Sequence, residues 1–138
     1  MAEGQKHTKR NVLIVVGVII AIIVVIIAGV MIWITRGLST YQKMVIANVD
    51  LSKVVDGTYQ GTFNGGRFSN TLRVTVKDHK ITRIAIVKDE EFARSKVSGE
   101  LFDKVVAAQS LKVDTVTGAT VSSKAYLKAL ENALNKSQ

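Results

Sequence analysis

The sequence predicts an α+β fold, a small antiparallel sheet packed with helices, preceded by one N-terminal transmembrane helix. Three observations predict it: a long uncharged apolar run near the start, a group of short β-branched segments divided by turn residues, and two later stretches with apolar residues at helical spacing. The chain has 138 residues, of which 47% are hydrophobic, and contains neither proline nor cysteine. That length holds one small domain and one further element.

The run from Val12 to Ile34 carries no charged residue. As a helix with a rise of ~1.5 Å per residue it reaches roughly 34 Å, enough for a hydrocarbon core of about 30 Å. A cleaved leader fits less well, because its apolar region runs to about 7–15 residues and ends at a small-x-small site. Here Thr35-Arg36-Gly37-Leu38 follows instead. The expectation is an uncleaved single-pass anchor in a lipid bilayer, with Trp33 near one interface. Lys6, Lys9 and Arg10 are gathered on its N-terminal side, whereas Arg36, Lys43 and Lys53 are dispersed beyond it. That density of charge puts residues 1–11 in the cytoplasm as a tail, 12–34 in the cell membrane and the rest outside.

Residues 35–54 are expected to form a juxtamembrane linker or short helix, and 55–138 the domain. Thr58 to Phe63 is rich in threonine and aromatics and is bounded by Gly57 and by Asn64-Gly65-Gly66, which marks a strand between turns. From Thr71 to Lys77 the alternation is clean, with Leu72, Val74 and Val76 on one face. Ile81 to Val87 is again β-branched and follows Asp78-His79-Lys80 closely enough for a hairpin. A charged, irregular stretch is expected from Lys88 to Val97, then Ser98 as the N-cap of a helix carrying Leu101, Phe102, Val105, Val106 and Ala108. In the last helix Leu127, Leu130 and Leu134 form an i, i+3, i+7 stripe with Ala133 beside it.

Lack of cysteine excludes disulfides, thiolate-bound metals, thioether-linked haem and lipidated-cysteine anchors. The two histidines fall in the tail, at His7, and in the hairpin turn, at His79. No nucleophile-base pair and no metal-ligand cluster is legible from spacing, so no catalytic or metal-binding residue is assigned. Gly61, Gly65 and Gly66 match no phosphate-loop or dinucleotide pattern and serve as loop punctuation.

Between the two helices lies Val113-Asp114-Thr115-Val116-Thr117-Gly118-Ala119-Thr120-Val121-Ser122-Ser123. The first amides of a helix lack intrahelical partners and carry the positive end of its dipole, so a phosphate is favoured there. Gly118 and Ala119 let such a group approach the backbone. Thr117, Thr120, Ser122 and Ser123 add hydroxyls, and the first turn contains Lys124 but no carboxylate. The same residues also suit an ordinary cap, since threonine and serine are favoured at helix starts and glycine in turns.

This string resembles the signature of the FMN-binding domain family, as do Asp56-Gly57-Thr58-Tyr59-Gln60-Gly61-Thr62-Phe63 and Val74-Thr75-Val76-Lys77-Asp78-His79-Lys80-Ile81. The likeness runs from about Val55 to Leu134. It departs at the hairpin turn, where His79 stands in place of a frequent glycine. The resemblance implies flavin mononucleotide (FMN) joined through its phosphate to the hydroxyl of Thr120 by a flavin transferase. It also implies that Asp114, Thr117, Gly118 and Ala119 form the recognised sequence, with Ser122 and Ser123 behind them. Asp114 then serves the transferase or, on the plainer reading, caps a turn. Tyr59, Phe63, Phe68 and Phe92 are aromatics within reach of a flavin ring or, more simply, core and loop residues.

Two functions of different class follow. One is a membrane-anchored extracytoplasmic electron-transfer flavoprotein, without self-contained enzymatic chemistry, exchanging electrons with membrane or extracytoplasmic redox partners. The other is a non-redox anchored binding module using its basic surface. Setting aside Lys6, Lys9, Arg10 and Glu3, the nineteen basic and eleven acidic residues become sixteen and ten, a net +6. Such charge suits an anionic lipid, polymer or acidic protein. Nucleic acid is not expected, because the basic residues are scattered and no recognition motif is present.

Overall fold

A computed structural model describes residues 2–136, with side chains from residue 4. The chain divides into two compact units, Met1–Ser39 and Thr40–Gln138. In the first, helix α1 (Ala2–Thr35) is apolar on all sides from Val12 to Ile34, and each large hydrophobic side chain along that run is exposed. Nothing among the described residues covers that surface, and the helix is long and apolar enough to cross a membrane. These properties are compatible with a single-pass anchor. A short helix, α2 (Leu38–Gln42), leads into the second unit.

The second unit is a three-stranded antiparallel sheet of order β1 (Gly57–Phe63), β2 (Asn70–Lys77), β3 (Lys80–Lys88), with α3 (Ser95–Ala108) and α4 (Thr120–Asn135) on one face. The α+β class and the antiparallel pairing agree with the sequence. Alternation in β2 places Leu72, Val74 and Val76 in the core against Leu101 and Val105 of α3 and Leu127, Leu130, Ala133 and Leu134 of α4. The opposite face is open. There Thr58 faces Thr75, Gln60 faces Arg73 and Thr62 faces Thr71 across the β1–β2 register, with Thr62 and Thr71 hydroxyls 2.9 Å apart.

The helix α4 lies close on β1 because Gly61 has no side chain. A Cβ there would stand 2.1 Å from the Ala129 carbonyl oxygen and 2.4 Å from the Ala133 nitrogen. Backbone meets backbone at this crossing, which only glycine permits.

The β2–β3 turn puts both Asp78 and His79 in the left-handed region, with φ of 53° and 59°, as a two-residue hairpin turn requires. Glycine usually relieves that strain. His79 is held there instead by its ring Nδ1 against the Val54 carbonyl at 2.9 Å and by its amide donating to Asp56 at 3.3 Å.

Helix α3 starts a turn earlier than the sequence indicated. Ser98 is not its N-cap: Arg94 occupies that position, and Ser98 is buried inside the helix with its hydroxyl donating to the Ser95 carbonyl at 3.1 Å. Back-bonding of this kind satisfies a serine within a helix, and burial of Val97 anchors the added turn. Before the sheet, the stretch expected as a linker or short helix holds the short helix α2 and also supplies core. Val49 and Val54 are buried, Tyr41 meets Phe63 and Phe68 edge-on at 5.7 and 5.9 Å, and the Ala47 amide donates to Glu131 at 3.2 Å.

Candidate functional site

The Thr117-Gly118-Ala119 turn is shaped from behind by Ser123. This serine is fully buried, and its hydroxyl accepts from the Val116 amide at 3.0 Å, while the Ala119 amide closes on the Val116 carbonyl at 2.9 Å. Gly118 then turns the chain with φ of 77°. Helix α4 begins at Thr120 with Ala119 as N-cap, no side-chain cap and no acid in its own first turn. Its first internal bond runs from the Ser123 amide to the Ala119 carbonyl at 2.9 Å. The amides of Thr120, Val121 and Ser122 therefore have no partner among the described residues.

Thr120 and Thr117 are exposed, and neither hydroxyl is engaged among the described residues; Asp114 is exposed on the approach to the turn. Ala119 is buried, fixing the backbone, whereas Gly118 faces open space. The six residues expected around Thr120 thus separate by role. Thr117, Gly118 and Thr120 present an accessible surface, Ala119 and Ser123 brace it from below, and Asp114 stands apart. Ser122 is half-buried and committed, its hydroxyl donating to Glu90 at 2.7 Å.

Two groups at this helix start come from far along the chain and were not singled out in the sequence. Arg94 reaches the Gly118 carbonyl with Nη2 at 3.4 Å. Since Arg94 is itself the N-cap of α3, which also lacks a side-chain cap and an early acid, its side chain links two uncapped helix starts. The second group is Glu90, 8% exposed. A helix start that is free of acid in sequence acquires one in space. Burial pushes the Glu90 carboxyl up from its ordinary value, with the Ser122 hydroxyl and Arg94 opposing and Asp89 adding to the rise. Next to it Tyr126 donates to Asp89 at 2.6 Å. Burial first, and then that bond, push the tyrosine well above its usual range. A signal for Glu90 was present only as an acidic run, Asp89-Glu90-Glu91, closing a strand.

Of the aromatics, Phe63 belongs to the core and Phe68 packs on Tyr41 with Arg67 above it at 5.0 Å. Tyr59 is partly buried and donates to the Val55 carbonyl. Phe92 alone of the four is free, 86% exposed with φ of 57° on the loop between Glu90 and Arg94.

A helix start of this kind suits an anionic group. An accessible hydroxyl sits at the first position of a sixteen-residue helix, in the same turn as three amides without a partner among the described residues, after a glycine whose missing Cβ leaves room and whose carbonyl holds the Arg94 guanidinium. Among the described residues no group of histidines, cysteines and acids is arranged to hold a metal ion.

Comparison with known proteins bears on the same region. Residues 69–135 match the family model of the FMN-binding domain. Urocanate reductase of Eggerthella lenta is 40% identical over 81 residues, which is 57% of this chain and 13% of that protein. An uncharacterized protein of Treponema pallidum is 32% identical over 90 residues, 63% of this chain and 25% of its own length. The chain therefore spans a quarter or less of these curated relatives.

Proposed function

We propose, from the premise that residues 69–135 belong to the FMN-binding domain family, that this chain is a membrane-anchored electron-transfer flavoprotein with FMN esterified through its phosphate to Thr120. The carrying observation is the Thr120 hydroxyl, exposed and unengaged at an uncapped helix start. When bound, FMN supplies the one- and two-electron chemistry. What the chain supplies is placement. The amides of Thr120, Val121 and Ser122 and the Arg94 guanidinium offset the charge of a phosphodiester, Gly118 leaves room for it, and Ser123 keeps the turn in shape.

An ester bond holds the cofactor without tight enclosure, so the ring can stay open to protein partners. That suits a compartment in which a dissociated cofactor is lost by dilution. In this reading the basic residues Lys6, Lys9 and Arg10 keep the N-terminus cytoplasmic and the domain lies outside. A flavin transferase reads Asp114 to Thr120 during maturation, and the redox partners are membrane or extracytoplasmic proteins.

The full chain is to be produced with and without an exported flavin transferase and examined, after denaturing electrophoresis, for flavin fluorescence. The expected result is a fluorescent band that requires the transferase, is lost in Thr120→Ala and is kept in Thr120→Ser. A colourless chain under the same conditions overturns the reading in favour of a non-redox binding module, and a labelled Thr120→Ala moves the acceptor to another hydroxyl.

A further inference from the structure

The Glu90 carboxyl is only half used. Oε1 accepts the Ser122 hydroxyl at 2.7 Å, while Oε2 is buried and has no hydrogen-bond partner among the described residues. A buried polar oxygen without a partner is destabilising, and native folds rarely leave one. Neither neighbouring charged group supplies that partner: Asp89 Oδ1 accepts from Tyr126 at 2.6 Å and from the Glu90 amide at 2.9 Å, and Arg94 reaches the Gly118 carbonyl with one of its donors and makes no bond to Oε2 among the described residues. Ser122 stands two positions after Thr120 in the first turn of α4. The half-used carboxyl is thereby held against the same first turn that begins with the acceptor residue.

We propose that Glu90 binds a hydroxyl of the polyol chain that follows the phosphate on Thr120, so that the cofactor is fixed at a second point beyond its ester. This rests on the reading of Thr120 as the FMN acceptor. The chemistry selects a hydroxyl over the phosphate. Phosphodiester oxygens only accept hydrogen bonds and carry negative charge, so an ionised Glu90 repels them. A hydroxyl donates to a carboxylate and accepts from a carboxylic acid, which satisfies Glu90 in either protonation state. In FMN, the ribityl hydroxyls are the groups next along the chain from the phosphate.

The test uses the full chain, flavinylated and held in zwitterionic nanodiscs, with two readouts: covalent label after denaturation, and anisotropy of flavin fluorescence in the folded protein. Glu90→Met keeps length and removes hydrogen bonding, Glu90→Gln keeps a donor and an acceptor, and Ser122→Ala removes only the serine contact. The expected result is full labelling throughout, with anisotropy in Glu90→Met falling towards that of the denatured labelled chain. Glu90→Gln and Ser122→Ala stay near wild type. Should Glu90→Met not fold, judged by circular dichroism, Glu90→Ala carries the same comparison. Unchanged anisotropy in the labelled variant overturns the assignment, and so does an equal fall in Ser122→Ala, which reduces Glu90 to a brace for the helix. An unlabelled wild-type chain overturns the reading of Thr120 itself, and the assignment to Glu90 goes with it.

Discussion

The two ends of the sheet unit treat their polar groups in opposite ways. At the hairpin end, Asn48 Oδ1 accepts from Val49, Ser110 and Leu111 at 3.1, 3.1 and 3.2 Å. Gln109 both accepts from the Ile81 amide, at 2.7 Å, and donates to the Ile81 carbonyl, at 2.9 Å. Asp50 and Asp56 are occupied by backbone amides of Ser52 and His79. At the other end, where β3 finishes and α4 begins, three amides and the hydroxyls of Thr117 and Thr120 are unengaged among the described residues, Glu90 is half-satisfied and Phe92 lies bare. A small domain has little stability to spare. The lesson is that the saturated end secures the fold, and the unsaturated end is where a ligand has something to gain.

Breaking the saturated end has the largest effect. Gln109→Ala deprives the buried Ile81 backbone of two partners, and at ~1–3 kcal/mol for each lost partner the expected loss is about 2–6 kcal/mol. Chemical denaturation of the full chain in detergent, followed by circular dichroism, measures it. Gly118→Ala comes next. Its added methyl meets open space but must adopt φ of 77°, at an expected cost of about 1–2 kcal/mol by the same measurement.

The contrast also has a pH signature of opposite sign at the two ends. Asp56 is held below its ordinary value, first by the Asp78 amide and then by that of His79. Its stabilisation is complete above the unfolded-state value and is lost as pH falls through the lower folded value. Glu90 is raised by burial. The folded state there retains its proton longer, so stability declines as pH rises from the unfolded value through the folded one. Denaturation midpoints across the acidic range should therefore show a smaller low-pH fall in Asp56→Asn, with Asp50 supplying part of what is left, and a smaller decline with rising pH in Glu90→Gln. An unchanged profile in either variant removes that end from the comparison.

Thr120→Ala is expected to change stability least, within about 0.5 kcal/mol, because an unengaged surface hydroxyl is removed and alanine favours the helix. A melt near wild type, together with complete loss of flavin label, separates function from fold most sharply.

Much of the framework was legible because it is periodic. Leu72, Val74 and Val76 at every second position, and Leu127, Leu130 and Leu134 along a helical stripe, declare which face they bury. The α3 start was misplaced because Ser98 has the chemistry of a cap, and the sequence does not tell whether a serine hydroxyl turns forward to a free amide or back to a carbonyl. Residues 40–54 looked like a linker since Tyr41, Met44, Ile46, Val49 and Val54 follow no regular period, yet the core takes them individually. At the site, the Gly118 turn is a local signal and was readable, whereas Thr120 was one hydroxyl among four until the family resemblance singled it out. Glu90 and Arg94 reach this helix start from 32 and 24 positions away, a closeness that only the assembled sheet and helices create.

The crossing of α4 over Gly61 has a consequence for that helix start. With Ala129 and Ala133 seated on the β1 backbone, α4 behaves as a threaded bolt whose position is set at the crossing. Each residue along it advances about 1.5 Å and turns about 100°. One residue inserted between Thr120 and Ala129 would remove no chemical group from the chain and leave the crossing intact. It would also swing Thr120, at the head of the helix, more than a quarter turn about the axis. The aim of the site is thus kept by a count of residues, and the count begins at a glycine on the sheet.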